Sequence, residues 1–204
     1  EGTWRGHELM SRRALVVVLG MVAVAAILMA GMFIRTTSHG PTMADIGGPF
    51  RLASSKGGVV DSQDLTGKPY AVFFGYTHCP EVCPTTLYEM SKSLQSLGPA
   101  AAGFRVFFIT VDPERDTATA MADYIGNFDP RMEALVPTQE QLSKLASDFR
   151  VFYQKVPTSD GSYSMDHTAT IFLMNAEGKF AGTIAFGEAE NMRDAKLRKL
   201  LGTS

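Results

Sequence analysis

The chain has 204 residues, 45% of them hydrophobic and 20% charged, with a formal net charge of −2. That length fits one domain with appendages, and the lack of a basic stripe excludes nucleic-acid binding as its work. The charge is unevenly divided. Residues 1–35 carry Arg5, Arg12, Arg13 and Arg35 against Glu1 and Glu8, a balance of +2, which leaves −4 for the remainder.

Residues 1–13 are expected to form a short cytoplasmic N-terminus. Met10-Ser-Arg-Arg reads like a native start, so residues 1–9 are read as an upstream extension without function. Ala14 to Ile34 contains no charge. At about 1.5 Å per helical residue it can span a hydrocarbon core of roughly 30 Å, which predicts a transmembrane anchor over 14–34. The apolar core of a cleavable signal peptide would be shorter, about 7–15 residues. Arg12 and Arg13 precede the run and only Arg35 follows it. The positive-inside bias therefore puts residues 35–204 across the membrane. Too little precedes the anchor for a long organellar transit peptide. The expected home is a bacterial inner membrane, crossed once, with the functional domain in the periplasm.

Residues 35–46 are polar with Gly and Pro and read as a linker to a domain over 47–204. Phe50–Ala53 and Val59–Val60 flank Ser-Lys-Gly-Gly, a predicted hairpin. Tyr70–Tyr76 and Phe104–Val111 read as buried strands, with a helix between them beginning near Pro84. Thr117–Phe128 and Thr138–Phe149 have helical spacing. Thr168–Met174 and Phe180–Ala185 are strands joined at Asn-Ala-Glu-Gly, and Asn191–Leu201 is a closing helix. A βαβ unit requires a parallel pair and the late hairpin an antiparallel one. The fold class is α/β, a mixed sheet with helices on both faces.

The chain's two cysteines both lie in Phe74-Gly-Tyr-Thr-His-Cys79-Pro-Glu-Val-Cys83-Pro84. A lone close pair points to redox chemistry or metal binding. The stretch leaves a strand and enters a helix, the usual site position of an α/β sheet. Each cysteine precedes a proline, which pushes it out of the helical region, and Pro84 suits a first helical position. Cys83 is therefore expected as the N-cap, with Cys79 in a stiff loop before it. The helix dipole and free N–H groups favour thiolates there, and two thiolates on a rigid loop suit a soft ion such as Cu(I). A structural disulfide or two inert thiols would fit the same spacing. So would a redox pair, although thioredoxin-like enzymes keep two residues between their cysteines rather than three.

His167 precedes the Thr168–Met174 strand. If that strand runs antiparallel to Tyr70–Tyr76, His167 meets the cysteine loop and completes a three-ligand site. On sequence alone a partly exposed loop histidine is equally ordinary. Asp112 and Asp166 should reach the same edge, as groups orienting His167 or steering a partner. Asp112 could equally be turn chemistry, with Asp116 or Thr117 capping the next helix. His78 reads as a loop-shaping residue, and Met165 as a core residue that could offer a thioether.

Taken together these residues resemble the Sco family, also called SenC, of copper-binding proteins needed for cytochrome c oxidase assembly. The resemblance covers residues 46–202. It is carried by Ile46-Gly-Gly-Pro-Phe50, Gly75-Tyr-Thr-His-Cys-Pro-Glu-Val-Cys-Pro84, Val111-Asp-Pro-Glu-Arg-Asp-Thr117 and Asp166-His167. It implies a thioredoxin-like domain with an added N-terminal hairpin and copper, as Cu(I) or Cu(II), on Cys79, Cys83 and His167. It further implies delivery to the dinuclear copper centre of the oxidase's copper-accepting subunit, with an upstream copper donor or thiol reductant. The expected function is a metallochaperone rather than an enzyme. The alternative is a thiol–disulfide oxidoreductase that keeps the acceptor cysteines reduced, with Cys79 as nucleophile and Cys83 as resolving thiol. A peroxidase of peroxiredoxin type shares the fold, but fold alone is weak evidence for chemistry, and the paired cysteines with a distant histidine point elsewhere.

Overall fold

The computed structural model describes residues 12–36 and 46–203. They fall into two units, divided after Thr42. In the first, α1 runs Arg12–Thr36. Its side chains are described over residues 15–30, and all are exposed. That stretch is apolar but only about 24 Å long at 1.5 Å per residue. Among the described residues, no helix is long and apolar enough to cross a membrane. Most of the expected linker, residues 37–45, lies outside the described residues.

The second unit is built on a seven-stranded mixed sheet. Its strands are β1 (Arg51–Ser54), β2 (Val59–Asp61), β3 (Tyr70–Gly75), β4 (Arg105–Thr110), β5 (Met132–Val136), β8 (Thr170–Met174) and β9 (Phe180–Ala185), in the order β2-β1-β5-β4-β3-β8-β9. A separate hairpin pairs β6 (Tyr153–Pro157) with β7 (Tyr163–His167). The helices are α2 (Val82–Leu97), α3 (Ala118–Ile125), α4 (Gln139–Phe149) and α5 (Glu190–Leu201).

The chain order of apolar runs explains the centre of the sheet. Every residue of β3 is buried, and all of β4 except Arg105. A strand buried along its whole length must be covered on both faces. β4 lies parallel to both β3 and β5, while β8 lies antiparallel to β3. The first hairpin turns on Gly57 and Gly58, whose positive φ values of 89° and 74° glycine adopts without steric cost. Thr117 and Thr138 cap α3 and α4, and Gln141 completes a capping box.

Three elements differ from the expectations. Helix α2 begins at Val82 with Glu81 as N-cap, and the first helical bond runs from the Thr85 N–H to the Glu81 carbonyl (3.1 Å). Cys83 is thus inside the first turn. Amide groups there have no helical acceptor, so Pro84 costs no hydrogen bond at its third position. Strand β5 carries Glu133 in the middle of an apolar run, which disguises it. That buried carboxylate is satisfied by Ser54 of β1 and Arg105 of β4. The β6–β7 hairpin is largely polar and half-exposed and carries no apolar alternation to read. As a result His167 ends β7, and the next sheet strand starts at Thr170.

Helix α5 docks on α2 through Arg193, which is 3% exposed. Its Nε donates to Ser93 Oγ (2.8 Å), and its Nη1 donates to Glu89 Oε2 (3.1 Å) and the Glu188 carbonyl (3.0 Å). Removing one partner of such a buried set strands the others. Arg193→Ala should cost about 3 kcal/mol, read as a lower urea midpoint at unchanged slope. An unchanged midpoint would show that α2 is held by other contacts.

Candidate metal centre

The cysteine loop leaves the end of β3. Gly75 closes that strand, and a Cβ there would lie 2.6 Å from both Cys83 Sγ and a Phe108 ring carbon. The missing side chain is the space the buried sulfur occupies. Cys79 sits in the loop, 9% exposed, and Cys83 is fully buried in α2. The Cys83 N–H, in the first turn of α2, donates to Cys79 Sγ at 3.3 Å. The helix N-terminus therefore presents a backbone donor to that sulfur.

His167 arrives from β7. Because β8 is antiparallel to β3, with Phe73 opposite Ile171, the start of β8 lies beside the end of β3. Two bonds tie β7's end to the segment before β6: Thr168 N–H to the Phe152 carbonyl and Phe152 N–H to Thr168 Oγ1, each 3.0 Å. His167 Nδ1 lies 3.1 Å from the Thr168 carbonyl. A carbonyl only accepts, so Nδ1 carries a proton, and Nε2 is the ring nitrogen that faces the sulfurs. Nε2 is 3.4 Å from Cys83 Sγ. The imidazole also meets the Tyr76 ring edge-on at 5.8 Å and the Phe73 ring at 6.4 Å.

Cys79 Sγ, Cys83 Sγ and one nitrogen of His167 all lie within 4.8 Å of one another. Two sulfurs and a neutral imidazole make a soft donor set, of the kind that selects Cu(I) over hard cations. Cys79 and His167 line an open cleft of about 350 Å³, with Tyr76, Val82, Met165 and Asp166 among its walls. The two sulfurs are electrostatically unlike. The Cys83 thiol donates into Cys79, and despite the opposing effect of burial the His167 side chain and then the Cys83 and Glu81 backbone N–H groups help lower its pKa to about 4. Cys83 is pushed strongly upward, first by that same hydrogen bond and then by burial. At neutral pH the pair holds one proton, on Cys83.

The remaining candidates fall in different places. Asp112 is buried and bonded to Arg115, and it accepts from Tyr163 Oη at 2.9 Å. Arg115 in turn lies 3.6 Å over the Tyr163 ring and donates to its carbonyl at 2.9 Å. Asp112 thus meets the start of β7, while His167 Nδ1 faces a backbone carbonyl at the other end. Asp166 is exposed on the cleft rim, opposite Gln154 of β6. His78 is exposed and lies outside the three-residue group. Met165 is buried in the cleft wall. Gly75, Tyr76 and Phe73 also shape the site, a role not expected from the sequence. An all-apolar strand ending in Gly just before the cysteine loop was the available signal for Gly75.

The SCO1/SenC family pattern matches residues 38–202. The chain belongs to that family. Its mixed sheet with flanking helices is the thioredoxin-like fold of Sco proteins. It is 34% identical over 137 residues to the SCO2-like protein of Rickettsia conorii, covering 66% of this chain and 67% of that one. It is 34% identical over 160 residues to the human mitochondrial SCO1 homolog, covering 72% of this chain but 53% of the human one. Among solved structures it is similar to Bradyrhizobium japonicum ScoI with copper bound. That match has 44% identity and a TM-score of 0.70, and covers 76% of this chain and 99% of the other.

Two outcomes follow for the metal-free, reduced Sco domain. Because its pKa lies near 4, Cys79 is already a thiolate at pH 6. Its alkylation by iodoacetamide should be nearly flat from pH 6 to 8 and exceed that of Cys83, which peptide mass mapping resolves. A rate rising about tenfold per unit across that range, as for an ordinary thiol of pKa about 8.5, would contradict the pairing. Gly75→Ala should cost about 1–3 kcal/mol by overpacking against Cys83 and Phe108, measured by thermal unfolding. Wild-type stability would mean that the strand end yields.

Proposed function

We propose that this chain is a membrane-anchored copper metallochaperone. It binds one copper ion through Cys79, Cys83 and His167 and delivers it to the dinuclear copper centre of cytochrome c oxidase during assembly. The carrying observation is the convergence of two sulfurs and an imidazole nitrogen within 4.8 Å at the mouth of a cleft. Copper is the cargo. The Cys79 thiolate is ready to bind, and loading expels the proton from Cys83. Cys83 is sealed in the core, whereas Cys79 and His167 line the cleft. Ligand exchange with an acceptor thiol therefore starts at the Cys79 and His167 side and ends at Cys83. The copper-accepting oxidase subunit is the client, and an upstream donor or reductant prepares the site. Asp166 on the rim steers a partner. Asp112 supports the site by holding the Tyr163 end of the hairpin that carries His167.

The apolar run 14–34 serves as a single anchor in a bacterial inner membrane, with the domain in the periplasm. The helical conformation of Arg12–Thr36 and the exposed apolar side chains over residues 15–30 support this reading. Deleting residues 14–34 should move the protein from the carbonate-washed membrane fraction to the supernatant. Retention in the pellet would assign anchoring elsewhere.

The decisive test is copper titration of reduced protein. Wild type should bind one ion with a thiolate-to-copper charge-transfer band in the Cu(II) form. His167→Ala should alter that band and weaken binding by more than the ~10–100-fold typical of losing an outer partner. Equal affinity in the variant would rule out the three-ligand site.

A second reading, thiol–disulfide oxidoreductase, is favoured by one observation. The pair already divides into a cleft-lining thiolate, Cys79, and a deeper protonated partner, Cys83. That is the division of labour between attacking and resolving thiols. Disulfide-reducing activity that survives His167→Ala but not Cys79→Ser would support it.

A further inference from the structure

Asp116 is fully buried, and its only partner among the described ion pairs is the half-exposed His78, at 3.8 Å. A buried carboxylate without a guanidinium or ammonium partner is costly unless hydrogen bonds satisfy it. Here three do. Thr110 Oγ1, at the end of β4, donates at 2.6 Å. Thr77 donates twice, through its N–H at 3.1 Å and its Oγ1 at 2.5 Å. The carboxylate is itself fixed by its place after β4, where the Asp116 N–H donates to the Asp112 carbonyl at 3.0 Å. Thr110 Oγ1 also accepts from the Asp112 N–H at 2.9 Å.

Thr77 is the second residue beyond β3, two before Cys79. The loop's two ends are therefore held by different means. Its far end is set by the first turn of α2, and its near end by a charged acceptor from the loop after β4. We propose that Asp116 is a positioning residue for the thiol pair. It clamps Thr77 so that Cys79 Sγ stands over the Cys83 N–H and within reach of His167. An apolar residue of similar volume could fill the same space, often at no loss of stability. The carboxylate instead supplies two directed acceptors to one threonine, which fixes where the loop starts. Helix capping, the ordinary work of such an aspartate, is done here by Thr117.

The inference rests on the three-ligand copper reading, so its test carries a readout that needs no copper. Asp116→Ala, Asp116→Asn and Thr77→Val would be made in the full chain in detergent. Folding would be checked by circular dichroism. Cu(I) affinity would be measured by chelator competition, and the Cu(II)–thiolate band recorded. The dithiol–disulfide equilibrium would be measured against glutathione by thiol trapping. There the protein dithiol gives two electrons and two protons to glutathione disulfide, forming the Cys79–Cys83 bond and two glutathione thiols.

Asp116→Ala should bind copper about 10–100-fold more weakly, with a shifted charge-transfer band. It should also form the Cys79–Cys83 disulfide several-fold less readily. Asp116→Asn, which keeps one acceptor, and Thr77→Val, which removes one donor, should fall between it and wild type. Folded Asp116→Ala with wild-type affinity and disulfide equilibrium would overturn the proposal. If Asp116→Ala does not fold, Thr77→Val decides, and wild-type behaviour in both assays rejects the clamp. If wild type itself binds no copper, the copper reading fails, and the disulfide equilibrium alone accepts or rejects the role of Asp116.

Discussion

The antiparallel pairing of β8 with β3 is the constraint on which the site depends. Cys83 and His167 are 84 residues apart in sequence. They meet because the strand that follows His167 starts where the strand that precedes the cysteines ends. Loop closure over such a span is entropically costly, and the fully buried β3 core offsets it through apolar burial. The convergence of the three donor groups is thus a product of sheet register. A one-residue slip in β8 would swap Ile171 and Leu173 with Phe172 and Met174 between the two buried faces of the sheet.

Within that frame the sulfurs are held at unequal depth. Cys83 fills the space left by Gly75 and is sealed from solvent, while Cys79 stands at the cleft under a helix N-terminus. Depth and charge agree, since the proton stays on the buried atom. A carrier needs this asymmetry, because one ligand must let go while another holds. The same asymmetry would serve disulfide exchange, so the two chemistries compete for one structure.

The cysteine loop was legible in the sequence because its signals are local: two cysteines, two prolines, an apolar strand before and a helix after. The start of α2 lies two residues before the expected one, since Pro is tolerated at any position whose amide lacks a helical acceptor. β5 was hidden by Glu133, whose partners Ser54 and Arg105 lie on other strands. The β6–β7 hairpin was hidden because neither strand enters the main sheet. His167 therefore looked like a residue leading into a sheet strand rather than the end of a hairpin. Asp116 showed the same limit. Its neighbours in sequence suggest capping, and only the folded chain brings Thr77 to it.

X-ray absorption on the copper-loaded, reduced protein addresses the central claim most directly. The account predicts a shell of two sulfurs and one imidazole nitrogen, with the nitrogen missing in His167→Ala. A shell of nitrogen and oxygen alone, or a third sulfur from Met165 in place of the imidazole, would contradict it.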